Sequence, residues 1–270
     1  MVENLSVWEG LLLGVVQGLA EFLPISSSGH LILFRDILSM PELPLLFDVL
    51  LHVATLLVIC TYYRTLIIRL CAAFFRWLAG KKRQEDQGDL KLIGTMVVAT
   101  LITIAFALGF RAIGVGDFQA RTVCVMLLVT AALLASASFP KGQTGYSGFT
   151  WKQALITGIA QGFGTLSGIS RSGITLTASL WSGMDRKTAG EYTFILSIPA
   201  VLGALVLSLM DFGSGSLNLP VLPVIVGCVA AFATGMAGLR LLLWMVQKAR
   251  LWYFSIYLVV VGILGLTVLF

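Results

Sequence analysis

Residues 14–30 read GVVQGLAEFLPISSSGH, and residues 158–174 read GIAQGFGTLSGISRSGI. With a single offset of 144 and no gap, Gly14, Gln17, Gly18, Ile25, Ser26, Ser28 and Gly29 meet Gly158, Gln161, Gly162, Ile169, Ser170, Ser172 and Gly173, seven identities in seventeen positions. Self-similarity at a fixed spacing marks an internal repeat. A looser echo follows, FDVLLHVATLL at 47–57 against EYTFILSIPAV at 191–201. The two copies part where charge is concerned: the first carries Glu21 and His30, and the second carries Arg171 in the place of Ser27.

The chain around these copies is made for lipid. Of its 270 residues 58% are hydrophobic and 11% charged, less than half the roughly 25% charged content of a soluble domain. Apolar stretches at 44–62, 92–110, 121–139, 190–210, 220–245 and 252–270 approach the ~20 residues a helix needs to cross a bilayer. The two copies themselves sit in apolar stretches, 6–40 and 151–183, each interrupted by a Ser/Gly-rich break. Their arms, at ~1.5 Å per residue, are too short to span a core ~30 Å thick, so each reads as a re-entrant broken-helix hairpin. The expected fold is an all-α integral membrane protein with six transmembrane helices and two such hairpins. Each half holds one hairpin and three spans. Three is odd, so repeats 1–140 and 145–270 of the single membrane domain 1–270 are expected in inverted topology.

Charge sets the orientation. Fourteen Lys and Arg residues, from Arg64, Arg69, Arg76, Lys81, Lys82 and Arg83 through to Arg250, fall on one side of the spans, and only Arg35, Arg111 and Arg121 on the other. Basic loops stay in the cytoplasm, so both termini are expected outside. Glu3, Glu9, Glu42, Asp117 and Asp211 fall on that outer side. The N-terminal MVENLSVWEG lacks the basic start of a cleaved signal peptide. Cys60, Cys71, Cys124 and Cys228 have no metal or disulfide spacing and read as small packing residues. The tryptophans at 8, 77, 151, 181, 244 and 252 lie near segment ends, as interfacial anchors do.

Irregular backbone at membrane depth is tolerated only inside protein or along a wet cavity. Each break ends in Ser-x-Ser-Gly before the second arm, which places Ser26 and Ser170 as helix N-caps. Two helix N-termini facing one another, with Ser27, Ser28, Gly29, Ser172 and Gly173 in their first turns, suit an anion, phosphate above all. Small residues that merely pack helices would explain the glycines but not the charges. A charge at this depth costs at least about 2.5 kcal/mol on insertion scales, so Glu21 and Arg171 read as functional. A structural Glu21–Arg171 pair stapling the repeats is the plainer alternative. A carboxylate, an imidazole, a guanidinium and several hydroxyls suit either translocation of an anion or hydrolysis of a phosphate ester.

The stretch QGLAEFLPISSSGH, with SGISRSG and the later GEYTFILSIP, closely resembles the bacterial undecaprenyl-diphosphate phosphatases, also called bacitracin-resistance proteins. The resemblance covers nearly the whole chain. It implies removal of the terminal phosphate of undecaprenyl diphosphate in the bacterial inner membrane, at a site open to the periplasmic side, to recycle the lipid carrier of cell-wall synthesis. Under it, Arg171 binds the phosphoryl group, Ser27 or a water activated by Glu21 attacks it, and His30 protonates the leaving lipid phosphate. Gln17, Ser26, Ser28, Gly29, Ser170, Ser172 and Gly173 surround the substrate. A divalent cation, Mg²⁺ or Ca²⁺, is expected on Glu21 and the Gln17 carbonyl. Gln17 stands where many members have a second Glu, and Ser167 where the second motif usually has Pro. Glu191 stands where the family has an acid, a support for the second hairpin. His52 and Asp48, at the repeat-related position, suit helix-end or packing roles as well as functional ones. The partners expected are the lipid diphosphate and membrane lipids and no nucleic acid, with a homodimer left open. The rival reading is a transporter or flippase of polyprenyl phosphate using the same site.

Overall fold

The computed structural model describes residues 5–38, 45–116, 118–212 and 220–268. Glu3, Glu42 and Asp117, and the outer ends of the 44–62 and 252–270 segments, lie outside them. Among the described residues the secondary structure is helical apart from one Thr144–Met184 bridge. The first broken stretch forms α1 (Val7–Phe22) and α2 (Ser27–Ile37); the second forms α7 (Trp151–Phe163) and α8 (Arg171–Trp181). Between them run α3 (Leu45–Tyr62), α4 (Arg64–Leu78), α5 (Asp86–Ala112) and α6 (Ala120–Ser136). After them come α9 (Arg186–Phe212), α10 (Val221–Gln247) and α11 (Trp252–Val268).

The helix boundaries keep the offset read from the sequence. Ser6 and Glu9 close a capping box at the start of α1, and Thr150 and Gln153, 144 residues on, close the same device at the start of α7. Such boxes satisfy two of the first N–H groups, which have no intrahelical acceptor. Ser26 and Ser170 cap α2 and α8 through the N–H groups of Gly29 and Gly173. Both capped helices are 11 residues long.

Each hairpin's first arm lies against a helix of the other half. Along α1, Gly10, Gly14 and Gly18 face Pro223, Gly227 and Ala231 of α10, and a Cβ at Gly14 would sit 2.1 Å from the Gly227 carbonyl oxygen. Along α7, Gly158 and Gly162 face Ala99 and Phe106 of α5, where a Cβ at Gly158 would come within 2.8 Å of Ala99 Cα. Glycine at every fourth position lets backbones approach this closely, and in lipid that contact supplies much of the association energy. The same exchange relates α3 against α10 to α5 against α9, while α3 meets α9 and α6 meets α11.

One expectation changes. The basic segment 64–91 is not a plain loop: it contains α4, turned 80° from α3 at Tyr63. Arg69 reaches Asp89 at 3.0 Å and Arg76 pairs with Asp86, so α4 is tied to α5 through charges that had been read only as a topology signal. Of the six expected spans, three (α5, α9 and α10) are long and apolar enough to cross a membrane, and four if α3 with α4 forms one bent span. The helices α6 and α11 are apolar but have 17 residues each, ~26 Å at 1.5 Å per residue, at the lower limit for crossing.

Candidate active site

The two breaks face each other across a cavity of about 290 Å³, closed by α3 on one flank and α9 on the other. Glu21 stands in it at the end of α1, with its side chain 8% exposed. One carboxylate oxygen, Oε1, pairs with the Arg171 guanidinium from the other hairpin. The other, Oε2, accepts the Ser27 hydroxyl at 2.7 Å and the Gln17 amide Nε2 at 3.2 Å, and lies 3.6 Å from His52 Nε2. A buried charge persists only when paired and hydrogen-bonded, and Glu21 is both.

Local geometry explains how the short arms deliver these groups. Ser26 adopts φ 72°, the left-handed region that non-glycine residues rarely enter. Its counterpart Ser170 is unstrained at φ −72°. The strained turn swings Ser27 back toward Glu21, six residues earlier in the chain; strain of this kind gathers at functional sites. The loop ahead of Arg171 is held by Gly168, at φ +88°, against Val123 and Met126 of α6. Thr130 of α6 takes the Ser170 N–H at 3.2 Å and donates to the Gly168 carbonyl at 3.3 Å. Gly164 permits the close pass of Arg171, whose Cα would lie 2.7 Å from a Cβ there.

Glu21, Ser27 and Arg171 are thus brought together, and Ser26, Ser28, Ser170 and Ser172 join them on the cavity wall. Gly29 and Gly173 lie behind it and spend their N–H groups on the caps. Gln17 is fully buried and reaches the site only through Glu21. His30 lies apart from them. It is not on the wall; Nδ1 lies 2.9 Å from the Ser26 carbonyl and Nε2 2.9 Å from the Tyr257 hydroxyl, with the two rings stacked. A carbonyl only accepts, so Nδ1 carries the proton, and both nitrogens are engaged away from the cavity. Glu191 is likewise elsewhere, accepting the Tyr146 hydroxyl at 3.1 Å.

The imidazole that does line the cavity is His52. Its Nδ1 donates to the Asp48 carbonyl at 2.8 Å, which leaves Nε2 turned to Glu21. Asp48 is on the wall too, with Arg35 holding both of its oxygens. For His52 and Asp48 the sequence itself carries a signal beyond packing: an ionisable side chain inside an apolar helix is by default a functional candidate.

The donor set does not fit a resident divalent cation. Among the described residues no group of three or more His, Cys, Asp or Glu side chains could hold one. Glu21 is the one carboxylate within reach of Gln17; its charge is matched by Arg171, and Gln17 turns its nitrogen to it while Oε1 stays buried without a partner. Magnesium and calcium take roughly six to eight oxygen ligands.

Comparison with known proteins gives one consistent result. The family model described as bacitracin resistance protein BacA matches residues 10–264. A Treponema denticola protein named undecaprenyl-diphosphatase is 40% identical over 266 residues, 98% of each chain. Proteins of the same name from Desulfatibacillum aliphaticivorans and Borrelia recurrentis are 38% and 36% identical, covering 94% and 92% of this chain and 95% and 94% of theirs.

Proposed function

The chain belongs to the bacitracin resistance protein BacA family, and on that premise we propose that it hydrolyses undecaprenyl diphosphate to undecaprenyl phosphate and inorganic phosphate. The observation that carries this reading is one carboxylate, Glu21, joined to a serine hydroxyl and a guanidinium inside a single cavity. Nothing comparable favours the flippase alternative, and the named relatives are phosphatases by name.

The terminal phosphoryl group competes with Glu21 for Arg171, whose planar fork suits phosphate oxygens. As the guanidinium turns to the phosphate, Glu21 loses its counter-charge and becomes the stronger base toward Ser27. The Ser27 proton passes to Oε2 as Oγ bonds the terminal phosphorus, the bond to the bridging oxygen breaks, and Glu21 passes that proton to the departing lipid phosphate, becoming a carboxylate again. Water then attacks the phosphoserine, giving its proton to Glu21, which hands it to Ser27 Oγ as the P–O bond breaks, freeing phosphate and restoring the hydroxyl. The Ser27–Glu21 hydrogen bond favours this order over direct attack by water. Arg171 and the capped N-termini of α2 and α8 offset the charge that develops. His52, which lines the cavity, hydrogen-bonds the departing phosphate in this reading.

A divalent cation, Mg²⁺ or Ca²⁺, would enter in this reading with the diphosphate and be held mainly by substrate oxygens, with Glu21, and the Gln17 carbonyl once its amide is turned over, as the protein ligands. The protein is multi-pass. Six spans with two re-entrant hairpins in inverted repeats, an inner-membrane location with both termini periplasmic, and a cavity open to the periplasm together fit the charge asymmetry and the shared helix offset. Phosphate release from undecaprenyl diphosphate by the purified protein, with and without EDTA, beside Glu21→Gln and Arg171→Ala, tests the proposal. Release by wild type alone supports it; no release from folded wild type supplied with magnesium or calcium overturns it.

A further inference from the structure

The cavity walls are not alike. Both breaks present hydroxyls and charge, and α3 adds Asp48 and His52, whereas the rest of the flank between α3 and α9 presents Val49 and Val53 with Val201, Ala204 and Leu205. Helical spacing separates the faces of α9 cleanly. Positions 201, 204 and 205 share one face and line the cavity, while Leu202, Val206 and Leu209 are exposed on the outer face. Val49 and Val201 are buried, but Ala204 both lines the cavity and is exposed. Ala204 is thus the exposed member of the apolar wall, where only a methyl group bounds the cavity.

Size makes that thin place matter. A cavity of about 290 Å³ takes a diphosphate and the first carbons after it, and is far too small for a long isoprenoid. Each further methylene is better left in an apolar medium, so the chain must run from the cavity into the bilayer without crossing polar wall. We infer that the isoprenoid leaves the site sideways between α3 and α9, across Ala204, with Val53 and Leu205 flanking its first units. This inference rests on the phosphatase reading above and adds to it a residue that sets tail acceptance: a small side chain at 204 holds the slot open.

The test is a graded series, Ala204→Val, Ala204→Leu and Ala204→Trp, with Leu202→Trp on the outer face of the same helix as the control for folding and insertion. Hydrolysis of undecaprenyl diphosphate is compared with that of a five-carbon allylic diphosphate, which fits inside the cavity. The expected result is a stepwise loss of kcat/KM for the long substrate, reaching about tenfold or more at Trp as the packing of at least one isoprene unit is lost. The loss appears as raised KM, with the short substrate within about twofold of wild type and Leu202→Trp near normal on both. Equal loss on both substrates in a folded Ala204→Trp, or an unchanged KM for the long one, overturns the route. If wild type cleaves only the long substrate, raised KM with preserved kcat supports the route and the reverse overturns it. A folded wild type that cleaves neither removes the phosphatase reading itself, a different result from any seen only in the variants.

Discussion

Ser27 and Arg171, set 144 residues apart at the same place in the two copies, close on opposite oxygens of the Glu21 carboxylate. One repeat supplies a nucleophile and its base, and the other supplies the cation that restrains that base until phosphate arrives. A duplicated hairpin thus becomes an asymmetric site through substitutions at two aligned positions, Glu21 against Thr165 and Ser27 against Arg171.

Covalent chemistry at Ser27 has a direct readout. Ser27→Ala is expected to lower kcat by about a thousandfold or more, comparable to losing the nucleophile in other hydrolases. Rapid acid quench with substrate labelled in the terminal phosphate is expected to leave label on the wild-type protein and none on the variant. A wild type that never carries label, with a Ser27→Ala variant retaining substantial activity, would assign the attack to water.

Arg171 and Glu21 are also expected to depend on each other for stability. Arg171→Ala strands a carboxylate whose side chain is 8% exposed, and breaking a buried pair from one side typically costs about 3–5 kcal/mol. The double variant Glu21→Gln with Arg171→Met removes both charges and is expected to recover most of that loss while staying inactive. Thermal unfolding in detergent of the two single variants and the double reads this coupling. Equal stability of Arg171→Ala and wild type would mean the carboxylate is better solvated than its burial indicates.

Much of this arrangement is legible in the chain. Ser26 and Ser170 as caps, the two broken stretches and the joining of Glu21 with Arg171 follow from a repeat and from the expense of charge in lipid. What the sequence hides is the direction in which side chains turn. His30 sits one residue beyond SSSG and reads as part of the site, yet as the fourth residue of α2 it rotates past the cavity toward Tyr257. His52 sits in an apolar run and suits packing as well as function, and only the fold shows that α3 carries it to 3.6 Å from Glu21. The helical form of 64–78 is also hidden, because its polar face is satisfied by Asp86 and Asp89, which follow the basic stretch.

Close backbone contact at the α1–α10 seam predicts a sharp contrast between glycines. Gly14→Ala places a methyl 2.1 Å from the Gly227 carbonyl oxygen, an overlap that backbone cannot absorb without separating the helices. Loss of folded protein, or destabilisation of about 2–3 kcal/mol, the upper range for overpacking, is expected. Gly109→Ala on α5 meets nothing within 4 Å and is expected to be neutral or to stabilise by a few tenths to about 1 kcal/mol through helix propensity. Monodispersity on size exclusion and unfolding temperature separate the two; similar behaviour would mean that the seam is looser than its contacts.

His52 and His30 are expected to fail in different ways. His52→Ala removes the imidazole beside the Glu21 oxygen that receives the Ser27 proton. It is expected to reduce kcat by about 10²-fold, a usual contribution from a positioned acid or base, with unfolding temperature near wild type. His30→Ala removes a buried ring that ties the Ser26 carbonyl at the strained turn to Tyr257 on α11. It is expected to lower unfolding temperature, and to reduce activity through the loosened Ser26–Ser27 turn. Tyr257→Phe deletes only the far end of that tie, so it should reproduce a milder form of the His30 phenotype and none of the His52 one. If His30→Ala instead abolishes turnover at unchanged stability while Tyr257→Phe is silent, the His30 ring must swing into the cavity during the reaction, and the proton assignment moves back to it.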